Sequence, residues 1–166
     1  MSPPCKKVYI LCLEIYQLWY HRYAKPPTGD LRFKDPEMFE PQDGDFDVSK
    51  DAIIECPQIS FAGNSGQTLA NIGTEDCLSL NIYKPKNSES AKLPVMVYIF
   101  GGNFCFGSNR IDEYGPDYFM DQENVILVTI NYRLGPLGFM TIKSEGITGN
   151  LKFVFVYAVC CQKNEE

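Results

Sequence analysis

The chain has 166 residues, 45% hydrophobic and 22% charged, the composition of a folded globular protein and not of a disordered or fibrous one. Its 21 acidic and 15 basic residues leave a formal charge of −6 and no basic run to neutralise phosphates, which argues against a nucleic-acid partner. With one histidine, His21, and seven cysteines that form no C-x-x-C pair and no Cys/His cluster, the sequence offers no metal site and no cofactor motif.

From the N-terminus, Val8 to Tyr20 (VYILCLEIYQLWY) is apolar and follows Lys6 and Lys7, as the start of a secretion signal does. Glu14 and Gln17 interrupt it, no small-residue cleavage site follows, and at about a dozen residues it is too short to cross a bilayer, so membrane association is not expected. Residues 25–47 are rich in proline, glycine and acids around one short segment, Leu31 to Phe33, and read as irregular surface chain with a strand fragment. Residues 56–77 begin and end at cysteine and carry Gly63, Asn64, Gly66, Asn71 and Gly73 between them. This pattern suggests a disulfide-closed loop, worth roughly 3 kcal/mol on the chain-entropy account.

Next, in CLSLNIYKP, Leu78, Leu80 and Ile82 alternate with Ser79, Asn81 and Tyr83, which predicts a half-buried strand over Cys77 to Pro85, stopped by proline. Val95 to Phe100 and Val125 to Tyr132 are nearly continuous apolar runs, predicted to be strands of a sheet covered on both faces. Between them, Asp117 to Asn124 predicts a short helix, and no internal repeat occurs.

The run Val95 to Phe100 leads straight into Gly101 and Gly102, followed by Asn103. Glycine permits a tight turn and leaves backbone N–H groups uncovered, so FGGNF reads either as a structural turn or as a cradle for a negative oxygen. A phosphate-binding loop would need a lysine followed by Ser/Thr and an immediate helix, whereas this loop continues FCFGSNRIDEYGP.

Four segments in order, YAKPPTGDLRF (23–33), EDCLSLNIYKP (75–85), LPVMVYIFGGNFCFGS (93–108) and NVILVTINYRLGPLGFM (124–140), resemble the N-terminal third of the type-B carboxylesterases, most closely the insect-type enzymes. The resemblance implies an incomplete α/β-hydrolase fold of α/β class: a small N-terminal sheet plus the first strands of the central sheet. It covers residues 23–150, between divergent ends at 1–22 and 151–166. It further implies a disulfide between Cys56 and Cys77, an ion pair between Arg32 and Glu75, and oxyanion-hole N–H donors at Gly102 and Asn103. The sequence departs from the family at Phe100, often histidine there, and at Asn103, where the family has a third glycine. Cys105, between Phe104 and Phe106, reads as an apolar packing residue.

Acyl transfer needs a nucleophile, a base and a group that orients the base, and in this fold the nucleophile sits in G-x-S-x-G. Neither GNSGQ (63–67) nor FGSNR (106–110) matches that motif, and His21 lies outside the region of resemblance and reads as a bystander. The chain is thus read as an inactive N-terminal fragment of a serine-type carboxylic ester hydrolase whose complete form takes a small neutral ester. A non-catalytic adhesion or signalling member of the same fold family is the alternative.

The only tryptophan, Trp19, falls outside residues 56–77, which disfavours a cholinesterase-like cation–π site. The abrupt ends point to a truncated gene product or a retained non-coding segment, ahead of a deliberate short isoform, and the missing neighbour strand predicts an open apolar edge at Val95 to Phe100, with residues 151–161 as the candidate substitute strand. The resemblance favours secretion or the endoplasmic reticulum lumen.

Overall fold

The computed structural model describes residues 16–38, 54–60, 70–86, 92–147 and 149. The tail at 151–161 and the cysteines Cys5, Cys12, Cys160 and Cys161 lie outside the described residues. Among the described residues the strands are β1 (Tyr16–Arg22), β2 (Gln58–Ser60), β3 (Ala70–Ile72), β4 (Ser79–Pro85), β5 (Val95–Ile99) and β6 (Ile126–Ile130). Three short helices, α1 (Ile111–Tyr114), α2 (Asp117–Met120) and α3 (Gly135–Phe139), follow β5 and β6.

The main sheet runs β1-β4-β6-β5, with β1 and β6 antiparallel to β4 and β5 parallel to β6. The parallel pair needs a crossover, and α1 and α2 lie in it. Strands β2 and β3 form a separate antiparallel pair at the two ends of the stretch between Cys56 and Cys77. Residues 16–22, in the divergent N-terminal segment, form β1, which pairs along its whole length with β4, His21 standing opposite Leu80.

The period-two pattern of β4 and β6 places Leu80, Ile82, Val128 and Ile130 on one face, where they pack with Tyr23, Leu78 and Phe100. On the other face Tyr83 and Leu127 pack under Met120 of α2. The sheet is therefore covered on both sides at its centre.

This corrects the half-buried reading of β4. Ser79 and Tyr83, expected to face solvent, are buried, because α2 and the loop after β5 lie over that face. A second correction concerns Leu31 to Phe33: the chain makes a 3-10 turn at Gly29–Leu31, and Phe33 has a left-handed φ of 60°. Gly29, at φ +54°, lets the chain reverse after Pro26 and Pro27, so no extended segment forms. The helix expected over Asp117 to Asn124 occupies only its first half, as α2.

Strand β6 is buried as expected, and β5, whose apolar run by itself predicts burial, has the open edge expected from its missing neighbour: Val95 is 50%, Met96 43% and Ile99 37% exposed. The cause is position, since β5 ends the sheet order with β6 as its single described neighbour. An apolar strand with free N–H and C=O groups invites pairing with another chain. The protein is therefore expected to self-associate, and Met96→Lys to shift it towards monomer, measured by light scattering at equal concentration. A wild-type chain that runs as a monomer and melts cooperatively would show the edge to be covered.

Candidate oxyanion corner

Strand β5 ends at Ile99, and Phe100 plunges into the core at 2% exposure. The chain then turns on Gly102, whose carbonyl accepts from the N–H groups of both Cys105 (3.0 Å) and Phe106 (3.2 Å). Gly102 has φ +134°, and a Cβ there would stand 1.8 Å from the Phe106 carbonyl oxygen, so only glycine fits. Asn103 and Phe104 follow in the left-handed region at φ 54° and 63°. Asparagine tolerates that conformation, whereas phenylalanine adopts it at a cost of about 1–2 kcal/mol. No described residue accepts a hydrogen bond from the N–H of Gly102 or Asn103, which leaves two adjacent donors uncommitted on a constrained turn.

Several contacts hold the turn in place. Tyr132 stacks on Phe100 with ring centroids 4.3 Å apart and donates its hydroxyl to the Phe100 carbonyl at 2.9 Å. Burial raises the Tyr132 pKa, so the hydroxyl stays protonated and keeps donating. The Phe104 carbonyl accepts from Gly135 N–H at 2.7 Å, and its ring meets Phe139 of α3 at 4.9 Å. These bonds offset the backbone strain at Phe104.

The far end of the loop is tied to the sheet by buried asparagines. Asn109 N–H donates to the Asn131 side-chain oxygen at 2.8 Å, Asn109 Nδ2 to the Thr129 carbonyl at 3.2 Å, and Asn131 Nδ2 to the Ile54 carbonyl at 2.8 Å. Tyr23 donates its hydroxyl to the Asn131 carbonyl at 2.7 Å, and burial raises the Tyr23 pKa as well.

A depression of about 470 Å³ opens beside Gly101 and Gly102, with Gln58, Ser108, Arg110 and Glu113 also on its wall. Arg110 forms a fork to Asp112 at 2.9 and 2.6 Å and reaches Glu55 at 3.3 Å. The hydrogen bonds to Asp112 raise the Arg110 pKa and lower that of Asp112, so the pair stays charged and mutually neutralised. No uncommitted cation lines the depression among the described residues. No group of three or more His, Cys, Asp or Glu able to hold a metal occurs among them either, and none of their helices is long and apolar enough to cross a membrane.

The Cys56–Cys77 disulfide is formed, with both cysteines at 1% exposure or less. Arg32 meets Glu75 through two bonds of 2.7 and 2.6 Å; the Glu75 hydrogen bonds raise the Arg32 pKa, but the pair is exposed and contributes little to stability. Arg22 forms a similar fork with the adjacent Asp76, at 3.0 and 2.7 Å, which the sequence did not signal. Cys105 is a correction: it is exposed, as are Phe104 (50%) and Phe106 (47%), because the left-handed turn directs these side chains to the rim.

A family model described as "Carboxylesterase family" matches residues 20–154. The chain belongs to the carboxylesterase family. It is 46% identical over 128 residues to juvenile hormone esterase of Tribolium castaneum, covering 77% of this chain and 21% of that protein. It is 42% identical over 128 residues to Esterase-5B of Drosophila persimilis, covering 77% and 23%. Among solved structures, a thermophilic PNB esterase superposes with a TM-score of 0.72 at 38% identity, covering 87% of this chain and 30% of the other. Juvenile hormone esterase from Manduca sexta, with OTFP covalently attached, superposes with a TM-score of 0.70 at 33% identity, covering 87% and 27%.

This carboxylesterase chain thus spans between a fifth and a quarter of the curated relatives' length and has the α/β-hydrolase fold over the part it contains. Among the described residues the sheet ends at β5, and the Gly102 corner opens beside that edge.

Proposed function

We propose that this chain supplies the oxyanion side of a carboxylic ester hydrolase, with the backbone N–H groups of Gly102 and Asn103 as donors. The observation that carries the reading is the pair of adjacent, uncommitted N–H groups on a turn held by bonds to its carbonyls. When a nucleophile adds to an ester carbonyl, the π pair moves onto oxygen, and two fixed donors stabilise that charge without reorganising. The replacement of the third glycine by Asn103 leaves the donor intact, since the N–H belongs to the backbone.

A neutral ester fits the depression best. Its single cation, Arg110, is already engaged by Asp112 and Glu55, while Glu113 adds negative charge that would repel a carboxylate or phosphate. The sequence has no G-x-S-x-G nucleophile motif, so hydrolysis requires residues supplied from outside it.

Two assays test this. The chain alone is expected to hydrolyse p-nitrophenyl acetate no faster than buffer, whereas residues 20–149 joined to the C-terminal part of a PNB esterase should restore turnover. Turnover by the chain alone would refute the claim that it has no nucleophile; an inert joined protein that is folded would refute the oxyanion assignment.

A further inference from the structure

The side chain of Gln58, on β2, forms a closed pair with the backbone of Gly107. Its Oε1 accepts from Gly107 N–H at 2.8 Å, and its Nε2 donates to the Gly107 carbonyl at 3.0 Å and to the Cys56 carbonyl at 3.2 Å. A side-chain amide that satisfies both groups of one residue mimics a strand neighbour and fixes that residue's peptide planes. Gly107 has φ +114°, and a Cβ there would stand 2.6 Å from the Phe100 ring and 2.8 Å from the Gly101 carbonyl, so it packs directly beneath the glycine corner. The residue before it, Phe106, donates its N–H to the Gly102 carbonyl and places its own carbonyl against Gly102 Cα.

We infer that Gln58 is a positioning residue for the oxyanion corner: it holds Gly107, which sets Phe106 and through it the direction of the Gly102 and Asn103 N–H groups. The inference rests on the oxyanion reading proposed above for its catalytic consequence, and on geometry alone for the clamp. Gln58 stands two residues after Cys56, so the disulfide anchors the clamp to the sheet. The corner is thereby braced from a segment some fifty residues earlier in the chain.

Hydrogen exchange on the whole chain tests the clamp. Gln58→Met keeps the length of the side chain but none of its hydrogen bonds, and should speed exchange at Gly107 N–H by about 10- to 100-fold, leaving β4 and β6 amides unchanged. Gln58→Glu keeps the acceptor and loses the donor, and should leave Gly107 N–H mostly protected.

In the joined esterase, Gln58→Met should lower kcat for p-nitrophenyl acetate by about tenfold or more with KM little changed, the signature of an interaction made in the transition state. Unchanged Gly107 exchange in Gln58→Met overturns the clamp, and so does protection lost across β4 and β6 alike, which would make Gln58 a residue of global stability. Faster Gly107 exchange with an unchanged kcat overturns the positioning role. Failure of the unmutated joined enzyme to turn over, with Gly107 exchange responding as expected, refutes the oxyanion reading and leaves the clamp standing.

Discussion

Gly102→Ala in the joined esterase is expected to lower kcat for p-nitrophenyl acetate by on the order of 10²- to 10³-fold, equivalent to roughly 3–4 kcal/mol of lost transition-state stabilisation. The added Cβ would lie 1.8 Å from the Phe106 carbonyl oxygen, a backbone atom that no rotamer change can move aside. The turn must open, and with it go the two bonds from Cys105 and Phe106 to the Gly102 carbonyl. The N–H groups of Gly102 and Asn103 then point away from the carbonyl they should meet. Gly101→Ala is the control for fold: nothing lies within 4 Å of its Cβ position and its φ is not in the left-handed region, so stability should change by no more than about 0.5 kcal/mol. Urea denaturation gives the stabilities and steady-state kinetics the kcat. A Gly102→Ala enzyme with kcat within about twofold of wild type would remove this corner from the mechanism.

The second large effect is expected at the disulfide. Reduction, or Cys77→Ser, should lower the stability of the chain by roughly 3 kcal/mol, because a closed loop spanning a sequence separation of 21 restricts the unfolded ensemble. Against a net stability typically of about 5–15 kcal/mol, that is a large fraction. Cys77→Ser adds a buried hydroxyl at a position of 0% exposure, so it should be at least as damaging as reduction. Urea midpoints with and without reductant read the difference, and equal midpoints would mean that the unfolded chain is restrained in some other way.

The edge strand and the corner belong together in this molecule. Among the described residues β5 is the last strand of the sheet, and it presents apolar side chains at the same border where the glycine corner opens. On the oxyanion reading proposed above, the residues that complete the site approach from that border, and an apolar edge left open there is prone to self-association.

Much of this was open to reading along the chain. The alternation in Ser79–Pro85 and the apolar run of Ile126–Ile130 specify strands because side-chain period is a local property, and the paired glycines at 101–102 signal a turn that a side chain would block. The ordered motifs were enough to identify the family, the disulfide and the Arg32–Glu75 pair. Burial was not local. Ser79 and Tyr83 look solvent-facing by pattern but are covered by α2 and the loop after β5, and Val95–Ile99 has the composition of a buried strand, its exposed edge following from the missing neighbour and not from its own residues. A strand's hydrophobicity records which environment suits it; the neighbours that fold beside it decide which it receives. Gln58 is the plainest case. Nothing in C-P-Q singles out that glutamine, since its role depends on Gly107 arriving within 3.0 Å from 49 positions later, and only the folded chain brings the two together.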